Sequence, residues 1–192
     1  MTLPNALTLL RILAIPFFAI AVWYGHLWEA LILFVAAGLT DLLDGWIARR
    51  FNQRSRLGAI LDPAADKLLM TTAFILMALP KDHLRMPIPA WVAILSISRD
   101  VVISLVGLVA WLKDEQLDRR PSLLGKFTTG AEIVALGIGL LVNAQGDLGP
   151  GSWQRWAVPW VYYAMAAFVL ASGIHYYHRT NLEPGGSGES GS

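Results

Sequence analysis

The sequence contains no cysteine and few charged residues. Of its 192 residues, 15% are Asp, Glu, Lys or Arg, whereas 55% are hydrophobic. The absence of cysteine excludes disulfide bonds and thiolate chemistry. The shortage of charge excludes the polar surface that a soluble domain of this length needs. Together with a mean hydropathy of +0.51, this composition predicts a single-domain polytopic membrane protein.

Two further absences narrow the functional class. The net charge is only +1, and no basic run carries interleaved aromatic residues, so we expect no nucleic-acid partner. No basic segment precedes the first apolar run, and that run lacks a small-residue cleavage site. We therefore expect it to remain as a membrane helix and not to act as a cleaved signal.

Six apolar segments are long enough to form membrane helices, and short polar segments separate them. They cover residues 9–24, 26–48, 58–79, 88–112, 122–142 and 156–177. We therefore expect an all-α fold with six transmembrane helices over residues 1–182. The Gly- and Ser-rich residues 183–192 are expected to form a flexible tail.

Basic residues concentrate in the loops that follow the second and fourth apolar segments. These residues are Arg49, Arg50, Arg54, Arg56, Lys113, Arg119 and Arg120. The positive-inside rule predicts that these loops and both termini face the cytoplasm. Arg11 lies within the first apolar segment, and we interpret it as an interface anchor that reaches the headgroups, in preference to a ligand.

Four aspartates lie within apolar sequence, where an ionised side chain is costly. Asp41 and Asp44 are three residues apart, and Asp62 and Asp66 are four apart, so each pair shares one face of a helix. Folding the two helices together would bring all four carboxylates into one cluster. Such a cluster needs cations, and hard oxygen ligands favour Mg²⁺, Mn²⁺ or Ca²⁺. Two divalent ions would neutralise it, as in two-metal sites for phosphoryl chemistry.

Two alternatives remain open for these aspartates. Acidic residues in a helix bundle also mark ion pathways, so a divalent-cation transporter is one competing function. It would need acidic or polar residues on both sides of the midplane, whereas here the acids crowd toward one end of the second and third segments. A purely structural membrane module is the other alternative, with aspartates that cap helices or pair with arginines.

The complete pattern is Asp-x-x-Asp-Gly-x-x-Ala-Arg, eight residues, then Gly-x-x-x-Asp-x-x-x-Asp. It resembles the signature of the CDP-alcohol phosphatidyltransferases, and every signature position holds the expected residue. These residues are Asp41, Asp44, Gly45, Ala48, Arg49, Gly58, Asp62 and Asp66. The resemblance implies a homodimeric membrane enzyme whose six helices surround a polar cavity open to the cytoplasm. Such an enzyme moves a substituted phosphoryl group from a CDP-linked donor to an alcohol and releases CMP.

The resemblance also implies roles for the signature residues. Two divalent metal ions, Mg²⁺ or Mn²⁺, would be bound by Asp41, Asp44, Asp62 and Asp66. Asp66 would in addition be the catalytic base that takes the proton of the acceptor hydroxyl. The pocket for the cytidine diphosphate group would be formed by Asp41, Asp44, Gly45, Ala48, Arg49 and Gly58. Lys67 follows Asp66 directly, and it would either neutralise the carboxylates or reach solvent.

Further segments resemble the branch that contains phosphatidylglycerophosphate synthases and mitochondrial-type cardiolipin synthases. These segments are residues 3–12, 52–55, 61–67, 98–100 and 125–129. The branch implies a bacterial inner-membrane enzyme that uses CDP-diacylglycerol, with glycerol 3-phosphate as the expected acceptor. Phosphatidylglycerol is the alternative acceptor, because Arg99-Asp100 replaces the Arg-Glu typical of phosphatidylglycerophosphate synthases.

Arg99 and Lys126 are the candidates for binding the phosphate of the acceptor. An arginine at membrane depth is costly unless it faces a polar cavity, and Lys126 lies near the start of the fifth apolar segment. The alternatives are structural. Arg99 would then pair with Asp100, and Lys126 would be an interface anchor.

Overall fold

The computed structural model describes residues 3–50, 58–112, 123–146, 149 and 151–182. Side chains are described for residues 6–43, 61–106, 109, 124–146, 149 and 151–174. Within these ranges the chain forms six α-helices and no strand, so the expected all-α fold is confirmed. The expected tail, residues 183–192, lies outside the described residues.

The helices coincide with the six apolar segments of the sequence. They are α1 (Leu3–Trp23), α2 (Leu27–Arg50), α3 (Gly58–Ala78), α4 (Ala90–Leu112), α5 (Leu123–Ala144) and α6 (Gln154–Leu182). The largest differences are that α1 begins earlier than expected and α6 continues further. Three stretches in the described part are long and apolar enough to cross a membrane: Ala6–Trp23, Leu124–Ala144 and Gln154–Ile174. Six spans remain a prediction.

Helix α1 has its polar side chains inside and its apolar side chains outside. Thr8 and Arg11 are buried, and they lie three residues apart on one face of the helix. The exposed side chains recur at helical spacing on another face and are all large and apolar: Leu10, Leu13, Phe17 and Ile20. Since a soluble protein would show the opposite arrangement, this pattern supports a lipid-facing helix.

The aspartate-bearing helices α2 and α3 both pack against α1 and α5. Helix α1 packs on α2 and α3, α5 packs on α2, α3 and α6, and α4 contacts α3 and α6. Phe18 of α1 and Phe34 of α2 meet with ring centroids 6.1 Å apart. Between α5 and α6 there is no room for a Cβ at Gly139, because the Tyr162 hydroxyl occupies that space. A small residue here permits the close approach that is common between membrane helices.

The connection between α3 and α4 is fastened to other parts of the bundle. The His83 ring nitrogen Nε2 lies 2.9 Å from the carbonyl oxygen of Val22. Asn143, buried near the end of α5, accepts a 2.8 Å bond from the Met86 N–H and donates a 3.1 Å bond to the Met86 carbonyl. One amide side chain therefore satisfies both backbone groups of a residue in a non-helical segment.

We predict that Asn143→Leu destabilises the protein. The substitution leaves the N–H and C=O of Met86 without these partners, and each unpaired buried group costs about 1–3 kcal/mol. Thermal unfolding in detergent should show a clearly lower Tm. Gln145→Leu, which removes an exposed amide two residues away, is the matched control and should unfold near the wild-type Tm. Equal Tm values for the two variants would contradict a fastening role for Asn143.

Candidate active site

The signature aspartates lie on two helices, α2 and α3, which both pack against α1. Asp41 lies on α2, and Asp62 and Asp66 lie one turn apart on α3. Asp41 and Asp66 are close enough for their negative charges to act on each other. The meeting of the two halves of the signature in one cluster stays a prediction.

The remaining signature positions continue these helices. Asp44, Gly45, Ala48 and Arg49 belong to α2 beyond Asp41, and Gly58 is the first residue of α3. Their side chains lie outside the described residues. Among the described side chains, no three His, Asp or Glu residues form a group that could hold a metal ion. Asp41, Asp62 and Asp66 are among these described side chains, so the cluster of four carboxylates stays a prediction.

Arg11 contacts the first signature aspartate from inside the bundle. Its Nη1 atom lies 2.7 Å from Oδ1 of Asp41, and its side chain is 1% exposed. The interpretation of Arg11 as an interface anchor is therefore wrong. The buried face of α1 turns Arg11 toward α2 and α3, where a carboxylate compensates the cost of burying its charge. The sequence signal for this role was a basic residue within an apolar helix.

Thr8 makes the corresponding contact with the second helix of the signature. Its hydroxyl donates a hydrogen bond to Oδ1 of Asp62. Thr8 and Arg11 share one face of α1, so this helix orients a carboxylate on α2 and another on α3. Groups that orient metal-ligating side chains are an important part of metal sites. Sequence analysis assigned no role to Thr8, because its partner is 54 residues away.

A second set of charged residues lies beside the signature. Lys67 on α3 and Arg99 on α4 both contact Asp100: Lys67 Nζ is 2.6 Å from Oδ2, and Arg99 Nη1 is 2.8 Å from Oδ1. The Nη2 atom of Arg99 also donates a 3.0 Å bond to the Ser172 hydroxyl on α6. The structural alternative for Arg99, a pair with Asp100, is thus present in the structure. Lys67 makes its ion pair across to α4.

Glu132 adds a buried carboxylate that sequence analysis did not consider. It lies on α5, is 1% exposed, and its Oε1 atom has no hydrogen-bond partner. It lies beside Ser96, and the charges of Asp100, Arg99 and Lys67 act on it. The signal in the sequence was an acidic residue inside an apolar helix, which is costly unless the residue is paired or functional.

The two candidate acceptor residues have different surroundings. Arg99 borders a cavity of about 330 Å³ between α4 and α6, and the rest of the lining is mostly apolar side chains such as Leu95, Val102 and Val169. Lys126 is exposed in the first turn of α5, as the alternative of an interface anchor requires. The polar, cytoplasm-facing cavity implied by the resemblance stays a prediction.

The described donor atoms fit a hard divalent cation. Asp41, Asp62 and Asp66 offer carboxylate oxygens, which Mg²⁺ and Mn²⁺ prefer. The like charges of Asp41 and Asp66 act on each other, and a bound cation would relieve that repulsion. Carboxylates of this kind are suited to metal-assisted phosphoryl transfer.

Comparison with known proteins agrees with this chemistry. The profile of the CDP-alcohol phosphatidyltransferase family matches residues 1–172. A relative from Escherichia coli K12 is 34% identical and one from Salmonella typhimurium LT2 is 33% identical, each over 181 residues. The alignments cover 91% of this chain and 92% of each relative, and both relatives are named CDP-diacylglycerol–glycerol-3-phosphate 3-phosphatidyltransferase. Enzymes of this family generally depend on divalent metals. The chain therefore belongs to the CDP-alcohol phosphatidyltransferase family and is a membrane-bound transferase.

Proposed function

We propose that this protein transfers the phosphatidyl group of CDP-diacylglycerol to glycerol 3-phosphate and releases CMP. The observation that carries the proposal is the complete family signature, in which Arg11 and Thr8 of α1 contact Asp41 on α2 and Asp62 on α3. The names of the two relatives support this donor and this acceptor. The product would be phosphatidylglycerophosphate.

The four signature aspartates would hold two divalent ions, Mg²⁺ or Mn²⁺. When bound, these ions supply positive charge to the pyrophosphate of the donor and to the leaving CMP. Arg11 and Thr8 keep Asp41 and Asp62 in fixed orientations through their contacts from α1. A fixed orientation of these carboxylates removes part of the reorganisation that the reaction would otherwise require.

Asp66 would be the general base of the transfer. The acceptor hydroxyl oxygen forms a bond to the phosphorus of the phosphatidyl group, and its proton passes to the Asp66 carboxylate. The bond between that phosphorus and the oxygen of the leaving CMP breaks. Asp66 is half-buried on α3, and the charges of Asp41, Arg11, Lys67 and Asp100 act on it. Positioning of the acceptor hydroxyl against this carboxylate would supply part of the rate.

The nucleotide would lie along the beginning of α3 and the end of α2. Gly45, Ala48 and Gly58 would let the donor approach the helix backbones, and Arg49 would pair with its phosphates. Arg99 and Lys126 would bind the phosphate of the acceptor. Burial of the Arg99 guanidinium next to a cavity supports this role, although Lys126 lies on the exposed surface of α5.

Phosphatidylglycerol is a second candidate acceptor. The cavity beside Arg99 is mostly apolar, and it would accept part of an acyl chain while the arginine faces a phosphodiester.

In either case we propose six membrane spans, both termini in the cytoplasm, a bacterial inner-membrane location and a homodimer. The cluster of basic residues around the signature loop supports this orientation.

We predict that CMP release by the purified protein requires glycerol 3-phosphate. Protein in detergent with CDP-diacylglycerol and Mg²⁺ is supplied with glycerol 3-phosphate, phosphatidylglycerol, inositol phosphate or serine, and CMP is measured. CMP release that depends on phosphatidylglycerol instead would indicate a cardiolipin synthase. Release with neither glycerol-based acceptor would refute the proposed function, and no release at all would favour divalent-cation transport or a structural role.

We predict that Asp66→Asn abolishes most turnover while donor binding is largely kept. General bases typically contribute about 10²–10⁴-fold to a rate, so kcat for CMP release should fall at least about 100-fold. The dissociation constant for CDP-diacylglycerol should change little. Asp82→Asn makes the same chemical change at an exposed residue between α3 and α4 and should behave as the wild type. Turnover by Asp66→Asn at the control rate would remove Asp66 from the role of base.

We predict that Thr8→Val weakens metal activation. The substitution keeps the shape of the side chain but removes the hydroxyl that orients Asp62. Loss of such an orienting contact typically costs about 10–100-fold in metal affinity, so the Mg²⁺ concentration for half-maximal CMP release should rise by about tenfold. Thr72→Val, ten residues beyond Asp62 on α3, is the control. An unchanged Mg²⁺ requirement in Thr8→Val would show that the contact does not tune the site.

A further inference from the structure

Asp100 holds two cations at once, one with each carboxylate oxygen. Oδ2 lies 2.6 Å from Lys67 Nζ, and Oδ1 lies 2.8 Å from Arg99 Nη1. The side chain of Asp100 is only 16% exposed and that of Arg99 only 9%. The Arg99–Asp100 pair is therefore costly to break, because a partner that loses its contact stays behind as a buried unpaired charge, whereas the Lys67 side chain is 38% exposed.

The first of these cations, Lys67, lies on α3, the helix that carries the proposed base. Lys67 follows Asp66 directly on α3, and the charges of both Lys67 and Asp100 act on the Asp66 carboxylate. Lys67 is thus within electrostatic range of the proposed base but makes its ion pair with α4. Without the Asp100 carboxylate, the Lys67 ammonium would be free to approach another carboxylate, and its charge acts on both Asp66 and Glu132.

The second cation is fixed from two sides. Arg99 contacts Asp100 through Nη1 and the buried Ser172 of α6 through Nη2. Glu132 of α5 lies beside this group and is subject to its charges. The group therefore joins residues of α3, α4 and α5, and Asp100 is the member that contacts both cations.

We propose that Asp100 is a positioning residue for the transfer reaction. It keeps Lys67 away from the Asp66 carboxylate, so that Asp66 remains available to a divalent ion and to the acceptor hydroxyl, and it fixes the guanidinium of Arg99 beside the cavity. This inference rests on the proposed function, in which Asp66 binds metal and accepts the proton. If Asp100 only linked α3 to α4 structurally, its substitution would lower stability without either specific effect.

The proposal is tested with Asp100→Asn, Lys67→Met and the double variant, with Asp82→Asn as the matched control. Mn²⁺ binding in detergent is measured by electron paramagnetic resonance of the free ion, and CMP release gives kcat and KM. In Asp100→Asn the freed ammonium should compete with Mn²⁺ at Asp66, so that affinity and kcat each fall by about tenfold or more. In the double variant no ammonium remains, and both should return to within about threefold of Lys67→Met alone.

The KM for the acceptor separates the two functions of Asp100. In Asp100→Asn and in the double variant, Arg99 loses its ion pair with Asp100. The KM for the acceptor should therefore rise several-fold in both variants, and adding Lys67→Met should not restore it. The KM for CDP-diacylglycerol should change little. Asp100→Glu, which keeps the charge, should recover part of kcat.

Three results would overturn the inference. Mn²⁺ affinity in Asp100→Asn equal to that of Asp82→Asn would show that Lys67 does not compete for Asp66. Equal affinity and kcat in Asp100→Asn and the double variant would show that Asp100 does not act through Lys67. If the loss of kcat followed the Tm across all variants and Asp100→Glu did not restore kcat, Asp100 would have only a structural role. The proposed function fails separately, when wild-type protein binds Mn²⁺ but releases no CMP with either glycerol-based acceptor.

Discussion

The structure depends on the compensation of charges inside an apolar helix bundle. An ionised side chain away from water is costly unless an opposite charge or hydrogen-bond donors compensate it. Arg11 with Asp41, Lys67 with Asp100, and Arg99 with Asp100 are the pairs that provide this compensation. Each of the first two joins different helices. The same contacts that make the charges tolerable therefore also determine how the helices are arranged.

The two groups of charged residues in the bundle differ in their balance of positive and negative charge. Around Asp41, Asp62 and Asp66, the described basic partners are Arg11 and Lys67, and Lys67 makes its ion pair with Asp100. This group retains an excess of negative charge that suits divalent cations. The group around Asp100 contains two cations and two carboxylates. The region proposed to bind metal thus adjoins a region in which the carboxylate of Asp100 already contacts two cationic side chains.

Much of the fold and part of the site could be predicted from sequence. The apolar runs defined the six helices, since helix length and hydrophobicity are local properties. The signature spacing placed Asp62 and Asp66 on one face of α3 for the same reason. Local spacing does not say which face of one helix meets another. The roles of Thr8 and Arg11 depend on α1 packing against both α2 and α3, so they became visible only in the structure.

The contact between Arg11 and Asp41 has a consequence for how the chain enters the bilayer. Arg11 lies on α1, which is synthesised before α2, and the carboxylate that compensates it lies 30 residues later on α2. Alone, the first helix would carry an unpaired cation into hydrocarbon, whereas a hairpin of α1 and α2 carries a neutral pair. Insertion of the first two helices as one unit is therefore energetically favoured over their insertion one after the other.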